Sequence, residues 1–319
     1  MSDPISTTAL TGTTCRLASW ILIKVSGVDA RAFLHGQLSN DLTGLASNAA
    51  QWTAYCSPKG RMLAGFLAWV DADQAIWLAC DRGIAAGLLK RLRMFVLRAK
   101  VLIEDVGTDW QIEGVIGGAS PAPFQVDQAN GATRVGLPPV EDLSRHLDLC
   151  PADNLRPADN APAAEETAWR LAMIRAGESW ITSATQDQFV PQMVNFDALG
   201  GINFKKGCYP GQEVVARAHY RGAVKRRMVR ATVATGGSTD QPVPCEPGQP
   251  LFTAGESAQE CGQVVNMVRH DDGSLELLAV VSTQSRNESP IHLGGVLGPV
   301  LDFAALPYEI SAAEIFSAA

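Results

Sequence analysis

Hydrophobic residues recur along this chain in two rhythms, and the alternation between them lays out its elements. Trp20 to Val25 is an apolar run rich in Ile, Val and Trp. It predicts a strand, which Ser26-Gly27 breaks. Asp29 then caps a short helix through Leu34 or favours its first turn. Gln51 to Ser57 and Arg61 to Val70 flank the turn residues Pro58-Lys59-Gly60 and predict a hairpin, and Ala75 to Cys80 predicts a further strand. From Asp81 to about Arg98, Ile84, Leu88, Leu92, Phe95 and Val96 fall at helical spacing. Lys100 to Val106 and Trp110 to Ile116 predict two strands, and Gly117 to Asn130 predicts a loop. Glu165 to Ala176 predicts a helix ended by Gly177. After Tyr220, alternating runs at Arg227 to Val233, Gly262 to Val268 and Leu275 to Val281 are separated by Gly, Pro and Asp turns. That texture predicts a C-terminal antiparallel β domain or small barrel behind a mixed helix-and-strand region, an α+β protein.

Pro151 to Pro162 (PADNLRPADNAP) reads as a linker, and its PADN echo is too short to be a structural repeat. The expected organisation is an α+β region over 1–235, made of two intertwined subdomains with the linker near 151–163, and a β domain over 236–319. The length of 319 residues agrees with about two domains at roughly 150 residues each. An apolar fraction of 46% with 18% charged residues excludes a disordered chain. A net charge of −7 argues against a surface built throughout for nucleic acid. Met1-Ser2-Asp3-Pro4-Ile5 shows neither a basic n-region nor an apolar h-region, and runs such as Ala64 to Val70 are far short of the roughly 20 residues of a membrane helix. Seven widely spaced cysteines make a poor disulfide framework, and none has metal-ligand spacing with a second Cys or His. The expectation is a cytoplasmic protein with no membrane association and no resident metal.

One stretch stands apart: Lys205-Lys206-Gly207-Cys208-Tyr209-Pro210-Gly211-Gln212-Glu213, continuing to Arg217, His219 and Gly222. Pro210 suits the first turn of a helix, Glu213 suits the positive end of its dipole, and Glu213 precedes Arg217 by four residues. Cys208 would then sit at or just before a helix N-terminus beside two lysines, a setting that favours the thiolate. The competing reading is a small buried hydrophobe. Cys208 and His219, eleven residues apart on one helix, would be roughly 15 Å apart, which argues against a Cys–His dyad. Residues 205–230 carry eight Lys or Arg against Glu213 alone, a reversal of the chain's charge that favours an anionic partner over a solvated face. Aromatic residues are sparse there, so a base-stacking platform, and with it direct nucleic-acid binding, is not indicated. Trp20 and Trp169 each read either as core or as a ligand platform.

The run KKGCYPGQE leading into VARAHYRG resembles the signature of YgfZ-type folate-binding proteins, relatives of the glycine-cleavage T-protein, an aminomethyltransferase. The resemblance extends to Phe33-Leu34-His35-Gly36-Gln37-Leu38-Ser39-Asn40-Asp41, Ser57 to Met62, the Trp169 helix ending Ile174-Arg175-Ala176-Gly177, Phe189 to Asn195, and Leu306-Pro307-Tyr308. It implies a T-protein-like, three-domain ring around a central cavity that binds tetrahydrofolate or a derivative, with a C-terminal antiparallel β-barrel. It implies folate contacts at Trp20 and Trp169, a functional thiol at Cys208, and a binding signature formed by Lys206, Gly207, Tyr209, Gly211, Gln212, Glu213 and Arg217. It also implies support of iron–sulfur cluster assembly or repair and, through one client enzyme, tRNA modification, with folate (polyglutamyl included) and iron–sulfur enzymes or assembly proteins as partners. T-protein enzymes carry an aspartate pair after a Gly-Gly turn. Ala64-Gly65 stands in the corresponding place here, which removes the obvious acid or base for aminomethyl transfer. A folate-dependent one-carbon transferase and an RNA-binding module using 205–230 are the alternatives.

Overall fold

The computed structural model describes residues 10, 12–129, 131–152, 163–220, 224–234, 243–255 and 257–310. Of the expected linker at 151–163, residues 153–162 lie outside the described residues, as does the expected domain boundary at 235/236. The chain divides into two compact units. One comprises Met1–His35, Asp41–Gln51 and Phe66–Ala176; the other comprises Gly36–Asn40, Trp52–Gly65 and Gly177–Ala319.

The elements begin with β1 (Thr13–Arg16), β2 (Trp20–Ser26), α1 (Ala30–His35), β3 (Ala50–Cys56), β4 (Met62–Val70), β5 (Ile76–Asp81) and α2 (Arg82–Met94). They continue with β6 (Leu102–Asp105), β7 (Trp110–Ile116), β8 (Val126–Ala129), β9 (Ala132–Val140), β10 (Leu143–Pro151) and α3 (Ala163–Arg175). Two five-stranded sheets result, ordered β1-β7-β10-β9-β8 and β3-β4-β5-β2-β6. Strands β3 and β4 pass from one unit into the other along their length. Central strands β4 and β5 are almost wholly buried, which is why they read as continuous apolar runs rather than alternations.

Asp81 caps α2, its carboxylate accepting the N–H of Gly83 at 2.9 Å. The helix stops at Met94, short of the expected Arg98, and Leu97 adopts a left-handed φ of 46°. The 117–130 stretch is not all loop: Val126–Ala129 pairs with β9 as strand β8. Strands β9 and β10 form a hairpin whose two turn residues, Glu141 and Asp142, both have positive φ (49° and 66°). This is the turn geometry that favours Asn-Gly, built here from residues that do not announce it. Helix α3 lies against this sheet. Gly114 makes room for Trp169, since a Cβ there would come within 2.4 Å of the indole ring.

The second unit contains α4 (Gln212–Tyr220), β11 (Arg226–Val233), β12 (Pro250–Thr253), β13 (Glu260–Arg269), β14 (Leu275–Ser282), α5 (Thr283–Glu288), β15 (Ile291–Leu293) and β16 (Asp302–Ala304). Its six strands form one antiparallel sheet ordered β15-β12-β13-β14-β11-β16. Val229, Ala231, Leu251, Val264, Leu277 and Ala279 form the centre of its core. The strand texture expected after Tyr220 is therefore present.

Arg227 is not part of a basic surface. It is buried and forked onto Asp197 at 2.8 and 2.9 Å, and it also donates to the Gln192 carbonyl at 2.7 Å. Removing one partner strands the other charge in the core, so Arg227→Met should cost about 3–5 kcal/mol. Arg227→Met with Asp197→Leu should recover most of that loss. Equal melting temperatures for the single and double variants would show that the pair is not coupled.

Candidate functional site

The signature loop is organised from its own sequence. Asn203 Oδ1 accepts the backbone N–H groups of Lys205 and Lys206 at 2.9 and 3.1 Å, an Asx turn that reverses the chain. Lys206 Nζ donates to the carbonyls of Leu38 at 3.0 Å and Gly207 at 3.3 Å, and it lies 4.8 Å from the centre of the Tyr209 ring. Tyr209 is buried, and burial, with Cys56 nearby, raises its hydroxyl pKa. Lys205, Gly207 and Cys208 are exposed. Cys208 is the one exposed cysteine of the seven.

The expected helix start moves. Pro210 and Gly211 form a turn, and α4 begins at Gln212, four residues after Cys208. The dipole's influence fades within one turn, so it does not act on Cys208 as expected. Glu213 does lie in the first turn, and Arg217 is exposed further along. The reason for the shift is Gly211, whose φ is +79°. A Cβ there would meet Ser57 O at 2.4 Å and Gly60 Cα at 2.6 Å. Gly60 is the reciprocal case: its φ is +71°, and its Cβ would meet Val214 Cβ at 2.7 Å. Two glycines thus let the β3–β4 turn seat directly on the signature turn.

The remaining stretches of the resemblance brace the same frame. Ser39 Oγ donates to Gly201 O at 2.7 Å, and Asn40 Nδ2 donates to the carbonyls of Trp52 and Gly200, each at 2.8 Å. Ser57 Oγ donates to Asp187 Oδ1 at 2.7 Å, while Met62 N donates to Phe189 O at 2.8 Å. Gln192 Nε2 donates to Val215 O of α4 at 2.7 Å, and Asn195 Nδ2 donates to Met228 O at 2.9 Å. Tyr308 Oη donates to Gly177 O at 2.8 Å. These patches, separate in sequence, are joined by hydrogen bonds within the second unit, and Leu38, Ser57, Gly60 and Gln192 meet the signature loop or α4 directly. The bracing residues Asn203 and Asp187 lie outside the stretches that carry the resemblance, whereas Gln192 lies within one of them. The Asn203–Lys205 spacing, typical of an Asx turn, was the available signal.

Ala64 is buried in β4, and a Cβ on Gly65 would come 3.1 Å from the tip of the Phe196 ring. A side chain at 65 would press on that ring by a few tenths of an ångström. His219, on the last turn of α4, stacks on Phe204 with ring centres 3.8 Å apart. Cys208 stands outside α4, so the two do not share a helix. Among the basic positions of 205–230, Lys205, Arg217, Lys225 and Arg226 are exposed, and Arg221 lies outside the described residues.

Trp20 and Trp169 belong to the first unit and do come together. Their rings meet edge to face with centres 6.4 Å apart. They are 2% and 0% exposed, and the Arg145 guanidinium lies 5.7 Å from the Trp169 ring. Trp20 also borders a cavity of about 240 Å³ lined in part by Arg16, Arg82, Trp110 and Gln111. Lys206, Gly207, Cys208, Tyr209, Gly211, Gln212, Glu213 and Arg217 belong to the second unit. Among the described residues, no group of three or more His, Cys, Asp or Glu is arranged to hold a metal, and no helix is long and apolar enough to cross a membrane.

No family model matches the chain. It is 30% identical to the tRNA-modifying protein YgfZ of Cronobacter sakazakii, over 98% of this chain and 97% of that one. It is 31% identical to the tRNA-modifying protein YgfZ of Klebsiella pneumoniae, over 97% and 96%. An uncharacterized protein of Haemophilus influenzae is 36% identical over 69% of this chain and 73% of its own length. Among solved structures, the aminomethyltransferase T of the glycine cleavage system from Bartonella henselae superposes with a TM-score of 0.69 at 13% identity, over 94% of this chain and 87% of that one. The fold is therefore that of the T-protein.

Proposed function

The chain belongs to the YgfZ family, and on that premise we propose that it is a cytoplasmic protein that binds a reduced folate and supports iron–sulfur enzymes, and through one of them tRNA modification. The observation behind the proposal is the signature loop and the helix that follows it, met by Leu38, by Ser57 and Gly60, and by Gln192 from three separate stretches, while its one cysteine is presented to solvent. Precise bracing of an exposed nucleophile is the arrangement a working thiol needs. The tRNA-modifying name of the relatives and the T-protein fold, whose solved example is an aminomethyltransferase, point to the same one-carbon and tRNA chemistry.

In this proposal Trp20 and Trp169 shape the wall against which the flat folate ring system packs. The proposal also includes the finer architecture expected from sequence, a three-domain ring around a folate cavity with a closed C-terminal barrel. Ala64-Gly65 supplies no carboxylate where the T-protein's acid would stand, so in this proposal folate binding is separated from aminomethyl transfer.

The test is a titration of intrinsic fluorescence with tetrahydrofolate. Both indoles are core, and truncating either to alanine would cost about 3–5 kcal/mol, so the informative variants are Trp20→Phe and Trp169→Phe. Binding to the parent chain with a clear loss of affinity in the double phenylalanine variant is the expected result. Unchanged affinity would remove both residues from the site.

Exposed Lys205, Arg217, Lys225 and Arg226 should attract the glutamyl tail. Triglutamyl tetrahydrofolate should bind more tightly than the monoglutamyl form at low salt, and the gap should close as ionic strength rises. Equal affinities at low salt would assign these cations to another partner.

A further inference from the structure

A second surface, in the first unit, sets exposed apolar side chains among exposed cations. At the end of α2 the chain reads Lys90-Arg91-Leu92-Arg93-Met94-Phe95-Val96-Leu97-Arg98-Ala99-Lys100, five cations and no acid in a chain of net charge −7. Lys90, Arg93, Arg98 and Lys100 are exposed. Between them stand apolar side chains that the fold leaves in water: Met94 is 67% exposed and Leu97 is 87% exposed, with Phe95 and Leu102 also exposed. Val28, 84% exposed, joins them because its turn is pinned to the same segment. Lys100 N donates to Asp29 Oδ2 at 2.7 Å, and Gly27 packs so closely that a Cβ would strike Lys100 O at 2.1 Å.

The patch is held in place. Arg93 ties the end of α2 to β6 through two donors on Ile103 O, at 3.2 and 2.7 Å. Leu97 sits in left-handed backbone with φ 46°, a conformation that costs a bulky residue energy. A wide, open depression of about 600 Å³ lies beside Met94, lined by Ala86, Leu89, Lys90, Arg93 and Met94, with Asp105 the one acid among them.

We propose that this surface docks an acidic amphipathic helix of a protein partner, its apolar face against Met94, Leu97 and Leu102 and its carboxylates against Lys90, Arg93, Arg98 and Lys100. Charge complementarity selects an acidic occupant. The depression beside Met94 gives a ridge of apolar side chains a place to seat, as in the helix-in-groove mode. The exposed apolar groups are chiefly aliphatic, with Phe95 the one aromatic, so they do not make a stacking platform for RNA.

The probe is a fluorescein-labelled 18-residue peptide with leucines at i, i+3, i+4 and i+7 spacing and glutamates elsewhere, followed by anisotropy with the intact protein. Saturable binding is expected, at least tenfold tighter than for the same peptide with lysines replacing glutamates. Lys90→Glu with Lys100→Glu should weaken it tenfold or more, as should Leu97→Gly. Leu97→Gly relieves the backbone strain, so its melting temperature should hold or rise, which separates docking from folding. Absence of peptide binding, or binding indifferent to these substitutions, overturns the proposal. So does release by the same substitutions of phosphatidylserine vesicles or bulk tRNA in place of the peptide.

Discussion

Replacing Gly211 with alanine should unseat the signature loop at a cost of about 2–4 kcal/mol, combining left-handed strain with a backbone collision. The collision is the larger part, because neither Ser57 O nor the Gly60 backbone can swing aside as a side chain would. Gly118 supplies the control. Its φ is +77°, yet nothing lies within 4 Å of the Cβ it would gain, so Gly118→Ala should cost about 1 kcal/mol from strain alone. Thermal melts of the two variants read the difference. Equal shifts for both would mean that the two turns are not interlocked.

Cys208 should be alkylated far faster than any other cysteine of the folded protein. Cys15, Cys56, Cys80 and Cys261 are buried, and Cys150 and Cys245 are half-buried. Burial, with Asp187 adding to it, pushes the Cys56 thiol up to about 12, and burial pushes Cys245 up to about 11. At pH 8 those thiols remain protonated and unreactive, and the nucleophile is the thiolate. Mass spectrometry after a timed iodoacetamide pulse should find label at Cys208 first. Cys208→Ser should melt with the parent protein, since an exposed side chain contributes little to the core. It should nevertheless fail to restore iron–sulfur enzyme activity in cells lacking the protein. A slow Cys208, or a variant that both melts early and restores activity, would make the thiol structural.

Most of the strands and helices were legible because burial and periodicity were strong. The runs at Trp20, Met62 and Leu275 are each buried on both faces, and α2 and α3 carry clear ends at Asp81 and Gly177. The β9–β10 hairpin was hidden for two reasons. Its turn is Glu141-Asp142 rather than Asn-Gly, and Pro138-Pro139 interrupts the strand pattern. The start of α4 was misplaced because Pro210 is a good first residue of a helix, while the left-handed Gly211 that delays it is dictated by contact with Gly60. That contact spans some 150 residues of sequence and leaves no local trace. The basic window was over-read for the same kind of reason: Arg227 looks like its neighbours in sequence, but Asp197 neutralises it in the core. The signature itself was legible residue by residue, and its frame was not.

Reduced-folate binding is the claim on which the rest depends, and isothermal titration of the intact protein with tetrahydrofolate tests it most directly, with p-aminobenzoylglutamate as the control that lacks the pterin. Saturable one-site binding of tetrahydrofolate is expected, at least tenfold tighter than the control and weakened by Trp20→Phe with Trp169→Phe. No saturable heat with tetrahydrofolate, or equal binding of the fragment, would contradict it.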